Sequence, residues 1–139
     1  MGKAGISSLA SPAWLLRGIS AIPGELRLSR SVLTFTAHGS GTAWAWQLRK
    51  LERSTGRPGL AQALGSDERW VVLSEALDAI RVSSPWYYFA GGIIIQIGPH
   101  DYRISFGKPA RSSGDDDGLD AVSDMRRLGK QWMLALGVA

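Results

Sequence analysis

The two histidines, His38 and His100, are the natural starting point in a search for acid–base or metal chemistry. Neither has a carboxylate at the spacing that a zinc site or a general base uses, and both fall in segments that read as loops. Cysteine is absent, which removes disulfides, thiolate nucleophiles and cysteine-based zinc sites. Serines are plentiful, but none stands in a nucleophile-elbow motif. The glycine-rich pieces lack the lysine and the strand–loop–helix setting that cradle phosphates. The run Asp115-Asp116-Asp117, followed by Gly118 and Asp120, has carboxylates enough for calcium. Its spacing is not that of an EF-hand loop, and no ligand glutamate follows at the right distance. It reads as a solvated loop whose charge suits the start of the helix behind it. No catalytic residue, metal ligand or cofactor site is expected, and the chain is read as a non-enzyme.

What remains is charge and aromatic surface. The formal charge is +4, and it is uneven. Residues 1–69 hold nine Lys/Arg against four Asp/Glu, a net of +5; residues 70–139 hold seven against eight, a net of −1. A basic half attracts anionic lipid or an acidic protein partner. The cations singled out are Arg17, Arg27, Arg30, Arg49, Lys50 and Arg53. Six tryptophans in 139 residues make an exposed aromatic patch a second candidate, with Trp44, Trp86 and Tyr88 as its members. Nucleic acid ranks last: the sequence pI is about 9.9, but no nucleic-acid-binding module is recognisable.

The elements that would carry these residues are mostly strands. Tyr102, Ile104 and Phe106 alternate with Arg103 and Ser105, the period of a half-buried strand. Ile93, Ile95 and Ile97 form its partner, across a four-residue connection Gly98-Pro99-His100-Asp101. Leu26 and Leu28, then Leu33 and Phe35, give a second hairpin turning at Ser29-Arg30-Ser31. Ala13–Ile22 reads as a first strand on the pattern Trp14, Leu16, Ile19 and Ile22, with a bulge at Gly18. Residues 1–12 read as a flexible terminus. Trp70–Leu73, Ala79–Val82 and Trp86–Phe89 complete the strands. Residues 38–69 read as a long insertion, with Trp44, Leu48 and Leu51 on the apolar face of a short helix and a further helical turn at 60–64. A C-terminal amphipathic helix spans 119–136, with Leu119, Val122, Met125, Leu128, Trp132 and Leu136 on one stripe. No apolar run reaches the roughly 20 residues of a membrane span.

The order of about seven short strands and one closing helix resembles pleckstrin-homology (PH)-like domains. GELRLSRSVLTFTA, residues 24–37, resembles the G-x-L-x-L-turn-x-L-x-F hairpin of the GRAM branch of that family. VVLSEALDAIRV (71–82) and GGIIIQIGPHDYRISF (91–106) are similar to its later strands, and Trp132 sits where the closing helix caps the barrel. The resemblance covers roughly 13–37 and 70–136; the long 38–69 insertion and Arg30 in the hairpin turn depart from it. It implies a mainly β fold, a PH-like barrel or sandwich of about seven antiparallel strands capped by the helix. It also implies a single non-catalytic domain over 13–139 that binds phosphoinositide or membrane surfaces or proteins.

The expected function is therefore a binding module that meets an anionic lipid surface or an acidic partner through its basic N-terminal half. The alternative is an interaction protein that self-associates, or binds a protein, through an aromatic sheet face or the 44–51 helix. A cytoplasmic protein, peripheral at the membrane when lipid is the ligand, fits both the composition and the absence of cysteine.

Overall fold

The structure, a computed structural model, describes residues 8–84, 91–107 and 118–137, with side chains from residue 124 onward in the last stretch. Its elements are β1 (Ser8–Arg17), β2 (Ser20–Ser29), β3 (Val32–His38), α1 (Ala45–Thr55), α2 (Leu60–Gly65), β4 (Arg69–Ala76), a 3₁₀ turn (Leu77–Ala79), β5 (Arg81–Ser83), β6 (Gly92–Ile97), β7 (His100–Ser105) and α3 (Gly118–Leu136). The strands form one antiparallel sheet in the order β4-β3-β2-β1-β7-β6-β5. β4 and β5 are its two edges. The sheet is thus an open one, and no β4–β5 pairing closes it into a barrel among the described residues.

Alternation sets which side faces in. On β2 and β3, Leu26, Leu28, Leu33, Phe35 and Ala37 are buried; on β6 and β7, Ile93, Ile95, Tyr102 and Ile104 are. They join a single core. Between Phe35 and Thr36 the β3–β4 register shifts by one residue, and the consecutive Val72 and Leu73 are both buried there, as a bulge permits. α3 lays Trp132, fully buried, against this core. The indole stacks on Phe106 with ring centroids 5.9 Å apart, and its N–H donates to Ser11 Oγ at 2.9 Å. A buried indole thus has its polar atom satisfied.

Several expectations need correction. β1 starts at Ser8 and pairs with β2 from there, so residues 8–12 are strand rather than flexible terminus. Its inward residues are Ser11, Ala13 and Leu15, one position out of phase with the pattern of Trp14 and Leu16. Gly18 marks no bulge: with Ile19 it forms a two-residue turn between β1 and β2, and only Gly18 has positive φ, +63°. This is the type II′ pattern, which favours glycine first. The β6–β7 connection is also two residues, Gly98-Pro99, so His100 and Asp101 belong to β7. Trp44 precedes α1 as its N-cap and is 64% exposed, off the apolar face where periodicity puts it. Trp86 and Tyr88, and the strand expected there, lie outside the described residues.

Candidate anion-binding site

Three connections meet at one end of the sheet: the β1–β2 turn, the 39–68 segment between β3 and β4, and the β6–β7 turn. Antiparallel pairing dictates this. β1 ends, β2 starts, β3 ends and β7 starts at the same side. The 39–68 segment is fastened there. Thr42 N–H donates to the Ala21 carbonyl at 3.0 Å, and Ala21 N–H donates to Thr42 Oγ1 at 2.8 Å. Gly41 sits at φ +58°, where a Cβ would run into the Ala21 carbonyl oxygen.

The start of helix α1 is fixed by a buried polar side chain, Gln47. Its Oε1 accepts the Trp44 N–H at 2.8 Å, satisfying a donor at the helix start. Its Nε2 donates to the Arg17 carbonyl at 3.1 Å, at the end of β1. Lower down, Leu48 and Leu51 enter the core, and Ser54 Oγ lies 2.9 Å from the Tyr102 hydroxyl on β7. Gly56 closes the helix with φ +68°. The outer stripe of α1 is therefore set by elimination. Trp46, Arg49, Lys50 and Arg53, spaced i, i+3, i+4 and i+7, share the exposed face.

Between α1, the β1–β2 turn and β7 lies a cleft of about 370 Å³. Its walls are Leu16, Arg17 and Gly18, Trp46, Gln47 and Lys50, and Asp101 with Arg103. Leu16 and Arg103 are cross-strand partners. The charged residues are three cations and one carboxylate, an excess of two positive charges. The ion pairs formed among the described residues are Arg27–Glu25 and Arg127–Asp124, each at 3.2 Å. Arg17, Lys50 and Arg103 thus line the cleft without ion-pair partners among the described residues. Unpaired donors on three rigid elements suit an anion with several oxygen acceptors, such as a phosphate group.

The structure divides the cations expected from sequence. Arg17 and Lys50 line the cleft, and Arg49 and Arg53 stand beside it on α1. Arg27 lies far along β2 and is engaged by Glu25. Arg30 sits in the β2–β3 turn, at the opposite end of a ten-residue strand, roughly 30 Å away at about 3.3 Å per residue. Arg103 was missed, because alternation alone marks it as an ordinary outward residue of β7; only the β1–β7 pairing brings it to Arg17. The histidines do not converge. His38 ends β3, His100 opens β7, and both are exposed. No protein-family model matches the chain, and no curated protein matches it. Among the described residues, no helix is long and apolar enough to cross a membrane.

Proposed function

We propose that this protein is a non-catalytic recognition module of PH/GRAM-like type that binds a phosphate-bearing anionic partner in the Arg17–Lys50–Arg103 cleft. The convergence of three unpaired cations from β1, α1 and β7 carries this reading. The seven-strand antiparallel sheet followed by the C-terminal helix α3 is the order of elements that the resemblance implies. The basic stripe Arg49–Arg53 widens the positive surface beyond the cleft, as a peripheral membrane protein at the cytoplasmic face requires.

The test is co-sedimentation with phosphatidylserine-rich or phosphoinositide-containing vesicles against phosphatidylcholine vesicles, alongside titration with inorganic tripolyphosphate. Anionic vesicles and tripolyphosphate should bind, more tightly at low salt, since exposed charges are screened over about 10 Å at 0.1 M. Replacing Arg17, Lys50 or Arg103 with glutamine should weaken vesicle binding about fivefold each, at about 1 kcal/mol per charge near an anionic surface. No binding of either probe at low salt would dispose of the reading.

A second reading has its own observation. Trp44 and Trp46 are 64% and 56% exposed on the 44–51 segment, a surface that self-association or a protein partner would cover. Sedimentation velocity over a concentration series decides it; a monomer at every concentration removes the self-association form.

A further inference from the structure

The cleft between β1, α1 and β7 holds a fourth charge that a phosphate alone leaves without a task. Asp101, exposed on β7, lines it together with Arg17, Lys50 and Arg103. It makes no ion pair or hydrogen bond with any of them among the described residues. Opposite charges that share a cleft and stay apart leave room for a ligand between them. Trp46 lines the same cleft and is 56% exposed. Its indole N–H has no partner among the described residues, unlike that of Trp132, which is bound to Ser11. We infer that the cleft takes a nucleotide whose base carries an exocyclic amino group. Its phosphates lie against Arg17, Lys50 and Arg103, its base stacks on Trp46, and Asp101 accepts a hydrogen bond from the amino group. This rests on the anion-binding reading above and names a small soluble ligand of the same site, one that competes with an anionic surface for the cations.

Each part of the wall selects one part of this ligand. Three cations on β1, α1 and β7 suit a polyphosphate, whose charge is spread over several oxygens. A bare phosphate would use only these; the Asp101 carboxylate would oppose it, and the Trp46 ring would stay in water. The indole and the carboxylate each sit near a cation on their own element. Trp46 and Lys50 are about one turn apart on α1, roughly 6 Å along its axis. Asp101 and Arg103 share the outer face of β7, about 7 Å apart along the strand. A ribose separates a base from its phosphates by a span of that order. The indole offers a flat apolar face to a base. A carboxylate accepts from the amino group of cytosine and repels the carbonyl that uracil has in its place. The volume of about 370 Å³ falls in the range of small-molecule sites, roughly 300–1,000 Å³. The walls are also fixed before a ligand arrives. Gln47 ties α1 to the Arg17 carbonyl, and strand pairing sets Arg103 beside Leu16, so little order is lost on binding.

The test is calorimetric titration of the full chain with CTP, UTP and tripolyphosphate in magnesium-free buffer. CTP and UTP share ribose and phosphates and differ where cytosine carries its amino group. CTP should bind at least about fivefold tighter than UTP. Asp101→Asn should erase that preference and raise tripolyphosphate affinity, because a negative charge leaves the cleft. Trp46→Leu should weaken both nucleotides about fivefold or more and leave tripolyphosphate unchanged. Both side chains are exposed, so folding should survive; circular dichroism checks this, and the CTP–UTP comparison needs no variant. Saturating CTP should also release bound phosphatidylserine-rich vesicles. Equal affinity for CTP and UTP, or a CTP preference that survives Asp101→Asn, would overturn the inference. Tripolyphosphate binding without nucleotide binding would overturn it and keep the anion cleft, whereas no binding of all three would remove both. Vesicle binding untouched by saturating CTP would move the nucleotide out of this cleft. A short oligodeoxycytidylate binding more than about tenfold tighter than CTP would replace the small ligand with a single strand.

Discussion

The helices α1 and α3 each bring tryptophan to the same sheet and put it to opposite use. α3 drives Trp132 into the core, where Phe106 stacks on it and Ser11 takes its N–H. α1 buries Leu48 and Leu51 instead and leaves Trp44 and Trp46 in water, beside unpaired cations. The first arrangement is what stability demands of a large apolar ring. The second leaves apolar area and charge unused by the fold, and the proposed binding surface would use both. The largest test of this contrast is truncation at both helices. Trp132→Ala should cost about 3–5 kcal/mol in urea unfolding, from lost burial and the cavity left behind. Trp46→Ala should stay within about 0.5 kcal/mol of wild type and weaken vesicle binding. Similar stability losses at both sites would place Trp46 in the core economy and break the comparison.

Gln47 probes the junction between fold and site. Gln47→Leu removes the partners of the Trp44 N–H and the Arg17 carbonyl, which should destabilise the chain by about 1–3 kcal/mol. Gln47→Glu keeps the acceptor for Trp44 but loses the donor to Arg17 and adds negative charge to the cleft wall. Its tripolyphosphate affinity should therefore fall further than that of Gln47→Leu. The reverse order would show that α1 placement, not charge, governs the cleft.

Sequence reading did best where one face alternates cleanly. Tyr102/Ile104/Phe106 and Leu26/Leu28/Leu33/Phe35 are buried as their spacing predicts, and Trp132 holds the place its stripe gives it. It failed on β1 because Ala13-Trp14-Leu15-Leu16 is apolar on both faces, so alternation has no phase there. Trp44 misled for a different reason. Its i, i+4, i+7 spacing to Leu48 and Leu51 fits a helix face, yet the residue preceding the first helical position lies off that face. The cleft was half legible: Arg17 and Lys50 were singled out, but their meeting with Arg103 depends on strand pairing between residues far apart in sequence. The grouping of Arg27 and Arg30 with Arg17 failed because a ten-residue strand separates its two turns.

That separation makes Arg27 and Arg17 a matched pair for a charge test. Arg17→Gln should reduce anionic-vesicle affinity about fivefold. Arg27→Gln, which frees Glu25 on the outer face of β2, should change it less than about twofold. Equal losses would mean that diffuse charge, not the cleft, attracts the membrane.

The smallest effect comes from the far end of the sheet. The two-residue β2–β3 turn holds Arg30 at φ +54° and Ser31 at φ +65°, where type I′ geometry favours Asn-Gly. A left-handed residue other than glycine is disfavoured by roughly 1–2 kcal/mol. The turn tolerates it because the β2–β3 ladder and the Leu77 N–H bond to the Ser31 carbonyl, at 2.8 Å, hold it in place. Ser31→Gly relieves the strain but gives the unfolded chain about 0.4–1 kcal/mol more freedom. The net should be a stabilisation of about 0.5 kcal/mol, read as a rise in urea midpoint with unchanged slope. Vesicle and tripolyphosphate affinities should stay at wild-type values, because nothing in this turn reaches the cleft. A change in either affinity would mean that the two ends of the sheet are coupled, and that the strain at Arg30–Ser31 belongs to the binding surface.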